Sequence, residues 1–396
     1  MTLVEHYFRH EYGRLVAQLA RKVGVHQLEL VEDAVQAALA AALDAWPAKG
    51  TPDDPGAWLY RVASNHVVGA LRLEANRARL LAGEVAEPRD EDESRFASEI
   101  ADDLLRMLFT CCDDAIPRES RLVLALKTLC GFSTAEIAHR LFTTEANIHK
   151  RLQRARATLR DRGLGAPSSE RRSSVLEVIY LLFNEGYLSL QEAAIRRELC
   201  DEAIRLATLL ADHPIGAVPE TFALLALMHL HAARFEARLD GVALVLLEDQ
   251  DRDHWDRAQL ERGAAWLARS AAGDQFSRYH AEAGIAAEHC FAPSFRETRW
   301  HEIAELYTML DGVAPSPLHT LNRAIAVAEW QGPEAALAEL DAMQPPGWLD
   351  RSYLWDAVLA DLCRRAGRPF EEHQRRALAG APTEAVRALL RRRFGQ

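Results

Sequence analysis

The sequence predicts an all-α protein. Nearly every apolar run repeats at three- and four-residue spacing, the period of a helix with one buried face. Glycine and proline fall between those runs, where they interrupt helices rather than weaken them. Alternating segments rich in Val, Ile and Thr, the mark of strands, are missing. A chain of 396 residues is too long for one ordinary core, so roughly two to four compact units are predicted. Its 49% hydrophobic and 27% charged residues suit a soluble globular protein.

The first 83 residues hold several helices. They are interrupted by Pro47-Ala-Lys-Gly-Thr-Pro52-Asp-Asp-Pro55, a stretch expected to be non-helical throughout because it holds three prolines and a glycine. Residues 84–97 open with six acids and few apolar anchors, the composition of an exposed linker. A second helical unit is predicted over 98–162. Gly163-Leu-Gly-Ala-Pro-Ser-Ser169 reads as another linker. From 170 to 396 helices alternate with short turns. Within that part LNRAIAVAEWQGPEAALAEL (321–340) and LADLCRRAGRPFEEHQRRAL (359–378) are each a helix, a glycine turn and a second helix. This is a degenerate tetratricopeptide-like (TPR-like) pattern, in which stacked helix pairs share one core. The N-terminus places charges and histidines where a signal peptide would be apolar, and no long uncharged apolar window exists. No membrane contact and a cytoplasmic location are therefore expected.

The net charge of −11 does not suit a nucleic-acid binder until it is divided. Residues 121–162 carry nine Lys/Arg against three Asp/Glu, so one segment is strongly basic inside an acidic chain. In that segment a helix ends at Gly131. Ser133 and Glu136 are spaced as a capping box for a two-turn helix over Thr134–Leu141, and Thr143 or Thr144 caps a longer one reaching about Arg160. Ile148, Leu152, Ala155 and Leu159 form its apolar stripe. A short helix, a tight turn and a longer basic helix describe a major-groove reader. Thr144, Glu145, Asn147 and Lys150 are placed to meet base edges, while Arg151, Arg154, Arg156 and Arg160 are placed for phosphates. The competing reading is an amphipathic surface helix with a solvated basic face.

Residues 57–72 (AWLYRVASNHVVGALR) interleave aromatics with cations, a pattern that can stack on unpaired bases and hold phosphates. Val62, His66, Gly69 and Leu73 are the expected inward line of that helix. Without that role Trp58 and Tyr60 would be core or rim aromatics.

Enzyme readings fail. His301-Glu-Ile-Ala-Glu305 lacks the second histidine of a zincin, and His229 and His231 point apart on a helix. The six cysteines show no C-x-x-C spacing and read as small buried hydrophobes. No phosphate-binding or nucleophile-elbow motif is present. No catalytic residue, metal or cofactor is expected. The acidic run Glu248–Asp256 reads first as a helix N-terminus capped by Asp251 or Asp253, with a ligand, cation or partner site as the alternative. Asn184-Glu185-Gly186 reads as a helix C-terminus with a left-handed glycine.

FSTAEIAHRLFTTEANIHKRLQRARATLR resembles the minus-35-reading domain of extracytoplasmic-function sigma factors. VEDAVQAALAAALDAW (31–46) is similar to that class's polymerase-docking helix, and residues 57–72 to its minus-ten helix. FTCCDDAIP (109–117), FNEGY (183–187), LCDEAIRLA (199–207), LLEDQDRDHWDRAQ (246–259) and PSPLHTLNRAIAVAE (315–329) resemble segments of the subgroup with a tetratricopeptide-like C-terminal domain. The resemblance implies two small sigma domains followed by a helical repeat domain. It implies that Asp33 and Gln36 face core RNA polymerase, which is held through its clamp helices and flap. Lys49, Trp58, Tyr60, Arg61, Asn65 and Arg72 would lie along melted minus-ten promoter DNA, with loop 47–55 capturing a flipped base. Gly69 departs from the class, which usually has an acid there, and Lys49 is the loop's only cation. The expected function is a sigma factor whose acidic repeat domain controls activity by masking the basic helix or recruiting a regulatory protein. The alternative is a polymerase-independent helix-turn-helix regulator with a sensor domain.

Overall fold

The computed structural model describes residues 3–82, 97–141, 143–160, 167–187, 197–240 and 243–395. Nineteen α-helices and one minimal hairpin are found among them. Contacts divide the chain into two units, 1–182 and 183–396, with the division falling inside a helix. The linker expected at 84–97 lies largely outside the described residues, and the one at 163–169 mostly so.

The first unit begins with α1 (Leu3–Val23), α2 (Leu28–Lys49) and α3 (Pro55–Ala82). Gly24 ends α1 at φ 92°, a conformation cheap only for glycine. The 47–55 stretch corrects the sequence reading, because α2 continues through Pro47 to Lys49. A proline in the last turn forfeits a single backbone bond, and the Gly50 N–H closes that turn on the Trp46 carbonyl at 2.9 Å. Only Gly50 to Asp54 is non-helical, and Pro55 opens α3 at the first position, where its missing N–H costs nothing.

Next come α4 (Ala97–Cys111), α5 (Arg118–Thr128), α6 (Thr134–Arg140), α7 (Glu145–Leu159) and the first half of α8 (Arg172–Tyr187). Of these, α4 packs on α1, and α5 and α7 reach the N-terminal helices at single points. Gly13 is the tightest point, where an added Cβ would lie 2.3 Å from the Leu129 carbonyl oxygen. Gly131, at φ 69°, brings the chain against the Tyr12 ring. Cys111 and Cys112 are fully buried in this core, and burial pushes both thiols well up, which makes them inert. The start of α8 is tied to the α4–α5 turn. Arg171 pairs with Asp113 at 3.2 Å, Arg121 donates to Ser174 at 3.0 Å, and Arg118 pairs with Glu177.

The second unit is a run of antiparallel helices. α9 (Arg197–Ala211), α11 (Arg257–Ser270) and α12 (Arg278–Phe291) surround α10 (Pro219–Ala232). α10 is apolar on nearly all faces, so it can only be central. Gly263 lets α11 close on Leu230, whose Cγ would be 2.8 Å from a Cβ there. Between α10 and α11 lie β1 (Leu239–Asp240) and β2 (Ala243–Leu244), two residues each, the one pair of strands among the described residues.

Then α13 (Trp300–Val313), α14 (Pro317–Trp330), α15 (Pro333–Asp341), α16 (Gly347–Asp350) and α17 (Tyr353–Arg365) share a core built on Ile303, Leu321, Leu337, Leu349 and Trp355. α18 (Glu371–Ala379) and α19 (Glu384–Arg393) add a smaller one around Ala360, Val386 and Leu390. Both sequence pairs are present as α14–α15 and α17–α18, and Gly332 and Gly367 take positive φ at their turns. Gly186 corrects a sequence reading, since α8 runs through it to Tyr187 without a left-handed residue. Both Gly186 and Tyr187 are buried, so packing continues the helix.

Candidate nucleic-acid interface

Local chemistry builds the reading helix. The Glu136 N–H donates to Ser133 Oγ at 3.1 Å, and the Ser133 N–H donates to the Glu136 carboxylate at 2.8 Å, a reciprocal box that starts α6. Thr144 caps α7 by accepting from the Asn147 N–H at 3.2 Å. Ile148, Leu152, Ala155 and Leu159 are all buried and seat α7 on α5 and α6. Their regular spacing leaves the opposite side of α7 to solvent.

Lys150 and Arg154 are exposed on that side, and Thr144 and Glu145 are exposed at the N-terminal end of the helix. Among the described residues neither Lys150 nor Arg154 has an ion pair, so both charges are available to phosphates. Asn147 is half-buried and its Nδ2 donates to Thr143 Oγ1 at 2.8 Å. Arg151 is half-buried, with Nη2 3.3 Å from the Glu119 carboxylate. These two would have to exchange partners to touch DNA.

Arg156 corrects the sequence reading. It is not held out for phosphate but turns to α2, where Nη2 donates to Glu32 Oε2 at 2.5 Å and Nη1 sits 3.2 Å from Glu29. Glu32 is 1% exposed and also accepts from Thr128 Oγ1 at 2.8 Å. Burial pushes its carboxyl up, against the pull of Arg156. Arg21 on α1 likewise reaches the buried Asp103 of α4 at 2.9 Å. The Arg156 contacts and the Gly13 approach therefore hold the helix-turn-helix region against the N-terminal helices, and Arg21 ties α1 to α4. Sequence reasoning passed over Glu32, although an acid inside the apolar stripe Leu28, Val31, Val35 and Ala38 was a visible signal.

On α2 Asp33 and Gln36 are exposed one turn apart, beside Glu32, and Lys49 is exposed at the helix end. On α3 the predicted inward line is overturned. The buried residues are Leu59, Ala63 and Val67, at 0–1% exposure, whereas His66 and Leu73 are exposed. Both sets recur at helical spacing, and contact with α2 selects the first. Arg61, Asn65 and Arg72 are exposed on the opposite face, and the half-buried Trp58 shares it, within about 60° of arc at 100° per residue. Trp58 packs edge-on to Trp46 at 5.7 Å between centroids. Tyr60 lies on the other flank, its ring centroid 5.6 Å from Lys22 Nζ, and so stands apart from the other minus-ten candidates.

The second unit spends most of its acidic run on structure. Asp251 caps the turn Arg252–His254 and also meets the His254 ring, Asp256 caps α11, and Glu248 pairs with Arg393. The cap of α11 is thus Asp256 rather than Asp251 or Asp253. Opposite the run, Arg364, Arg365, Arg392 and Arg393 line a cleft of about 920 Å³. His229 Nδ1 donates to Gln259 Oε1 at 2.6 Å, and His301 pairs with its neighbour Glu302. No cluster of metal-ligating side chains is found among the described residues, and no helix there is long and apolar enough to cross a membrane.

Three family models match parts of the chain. Residues 8–77 match sigma-70 region 2, residues 106–159 match sigma-70 region 4, and residues 171–271 match a family of unknown function. The chain is 36% identical over 379 residues to an uncharacterized protein of Rhizobium meliloti (strain 1021), which covers 92% of this chain and 89% of that one. No solved structure matches.

Proposed function

Because this chain belongs to the sigma-70 family, as an extracytoplasmic-function-like sigma factor with an added C-terminal domain, we propose a residue-level reading of how it serves RNA polymerase at promoters. Its function is promoter-specific transcription initiation, its partners are core polymerase and promoter DNA, and it performs no covalent chemistry itself. In this reading α7 enters the minus-35 major groove. Thr144, Glu145 and Asn147 face bases there, while Lys150, Arg151 and Arg154 hold phosphates. Trp58, Arg61, Asn65 and Arg72 track the melted minus-ten strand, with Lys49 and Tyr60 at its margins. Asp33 and Gln36 meet the polymerase clamp.

The observation that carries the reading is the pair of unneutralised cations, Lys150 and Arg154, on the solvent side of a helix capped by Thr144. Replacing both with Ala should weaken promoter binding by the holoenzyme and make log K against log salt shallower by about two. Filter binding across a salt series measures this. An unchanged slope would remove α7 from the DNA.

Promoter elements about 25 base pairs apart are separated by about 85 Å. The Glu32–Arg156 contact holds α2 against α7, so one compact unit does not span that distance. We therefore read the compact first unit as the resting form, which parts on the polymerase. The C-terminal unit is proposed to control activity. Truncation after Tyr187, which spares the ties of α8 to Arg118 and Arg121, should alter promoter-specific transcription by at least severalfold while core binding persists. Identical transcription in vitro would leave the C-terminal unit without that role.

A further inference from the structure

The second unit holds two guanidinium groups without a carboxylate, one on the buried Arg234 and one on the half-buried Arg252. Arg234, just past α10, is 8% exposed, and its Nε donates to Gln250 Oε1 at 3.2 Å. Arg252 comes from the acidic run, and its Nη1 donates to the carbonyls of His289 at 2.9 Å and Ala292 at 3.0 Å. Both guanidinium groups face the indole of Trp255, with Cζ 5.7 Å and 4.4 Å from the ring centroid. Neither arginine has an ion pair among the described residues. The neighbouring acids do not supply one, because Asp251 is turned to the Asp253 N–H and His254, and Asp256 to α11.

Donors are also left over. Arg252 Nη2 and Trp255 Nε1 are buried without an acceptor, and Nδ1 of both His231 and His289 is buried without a hydrogen-bond partner. Trp255 is itself only 4% exposed. An uncompensated buried charge costs more than any packing it gives, and buried donors are normally satisfied. Water would answer the donors but leave two positive charges. An anion answers both at once. Paired guanidinium forks match oxyanions in geometry, and two positive charges match a dianion.

We propose that Arg234, Arg252 and the Trp255 indole N–H form a binding site for a phosphate group, with His231 and His289 as further donors. The site lies within the C-terminal unit and shares no residue with the promoter-reading surface, so it is a place where that unit senses a small ligand. The phosphate is either the free ion or the phosphoryl end of a larger metabolite.

The test uses the full-length protein at fixed pH and ionic strength. Inorganic phosphate should raise the melting temperature of the C-terminal transition saturably relative to chloride, by about 5–10 °C at a hundredfold excess over Kd. Arg234→Met and Arg252→Met should each abolish that rise. Glycerol phosphate as a second probe separates the sources: a rise with both means a phosphoryl group is accepted, and a rise with inorganic phosphate alone means the free ion. An equal rise in wild type and variants, or a rise with acetate but not phosphate, would overturn the assignment. Should the variants fail to fold, calorimetric titration of the wild type decides. Absence of saturable phosphate binding there also overturns it.

Discussion

Arg156→Met is expected to destabilise the first unit by about 3–5 kcal/mol, the usual cost of leaving one member of a buried ion pair behind. The member left behind is Glu32, 1% exposed, with the Thr128 hydroxyl at 2.8 Å as its remaining hydrogen-bond donor. Glu32→Gln should cost less, about 1–2 kcal/mol, because Arg156 keeps Glu29 at 3.2 Å and no charge is stranded. The double variant should sit near Glu32→Gln alone, since removing the carboxylate removes what made the arginine necessary. Urea unfolding of the three proteins measures the cycle. The second readout has the opposite sign: because the pair holds α2 against α7, Glu32→Gln should bind core polymerase more tightly while being less stable. Equal costs for the two single changes, with unchanged polymerase affinity, would mean that this pair does not hold the modules together.

That pair also marks where the sequence stops being readable. The helix-turn-helix was legible almost residue by residue because its determinants are local. Ser133 and Glu136 are three residues apart, Thr144 and Asn147 are three apart, and one apolar stripe runs down α7. Arg156 was misassigned because its partner lies 124 residues away, and a cation on a basic helix looks like any other until that partner is placed. α3 failed differently. Leu59, Ala63 and Val67 form one helical line, and Val62, His66, Gly69 and Leu73 another. Nothing within the helix says which side α2 will cover. Pro47 and Gly186 were read by their intrinsic preference for breaking helices, but position in a last turn and burial against neighbours overrode it. In the acidic run the charges were visible and the unpaired Arg252 was not, because pairing is a property of the fold.

Acid should loosen the second unit through His289. Burial, reinforced by Arg234 and Arg252, pushes this imidazole down to about 3 from an ordinary 6.5. The folded state therefore holds the neutral ring. Above 6.5 neither folded nor unfolded chain is protonated there, and the group has no effect on stability. Below 6.5 the unfolded chain takes up a proton that the folded one refuses, so stability falls by about 1.4 kcal/mol per pH unit until about pH 3. At pH 4 the loss is about 3 kcal/mol from this residue. His231, which burial also pushes well below its usual range, acts in the same direction. Other groups titrate over that window, so the informative quantity is a difference. His289→Phe keeps a ring against Trp300, whose centroid is 5.3 Å from the imidazole, and cannot take up a proton. Whatever that variant costs at pH 7, its stability relative to wild type should improve by about 3 kcal/mol between pH 7 and pH 4 in chloride. A gap that stays constant over that range would show that His289 is free to ionise in the folded protein. The two arginines would then lie farther from it, or be better neutralised, than their placement around Trp255 requires.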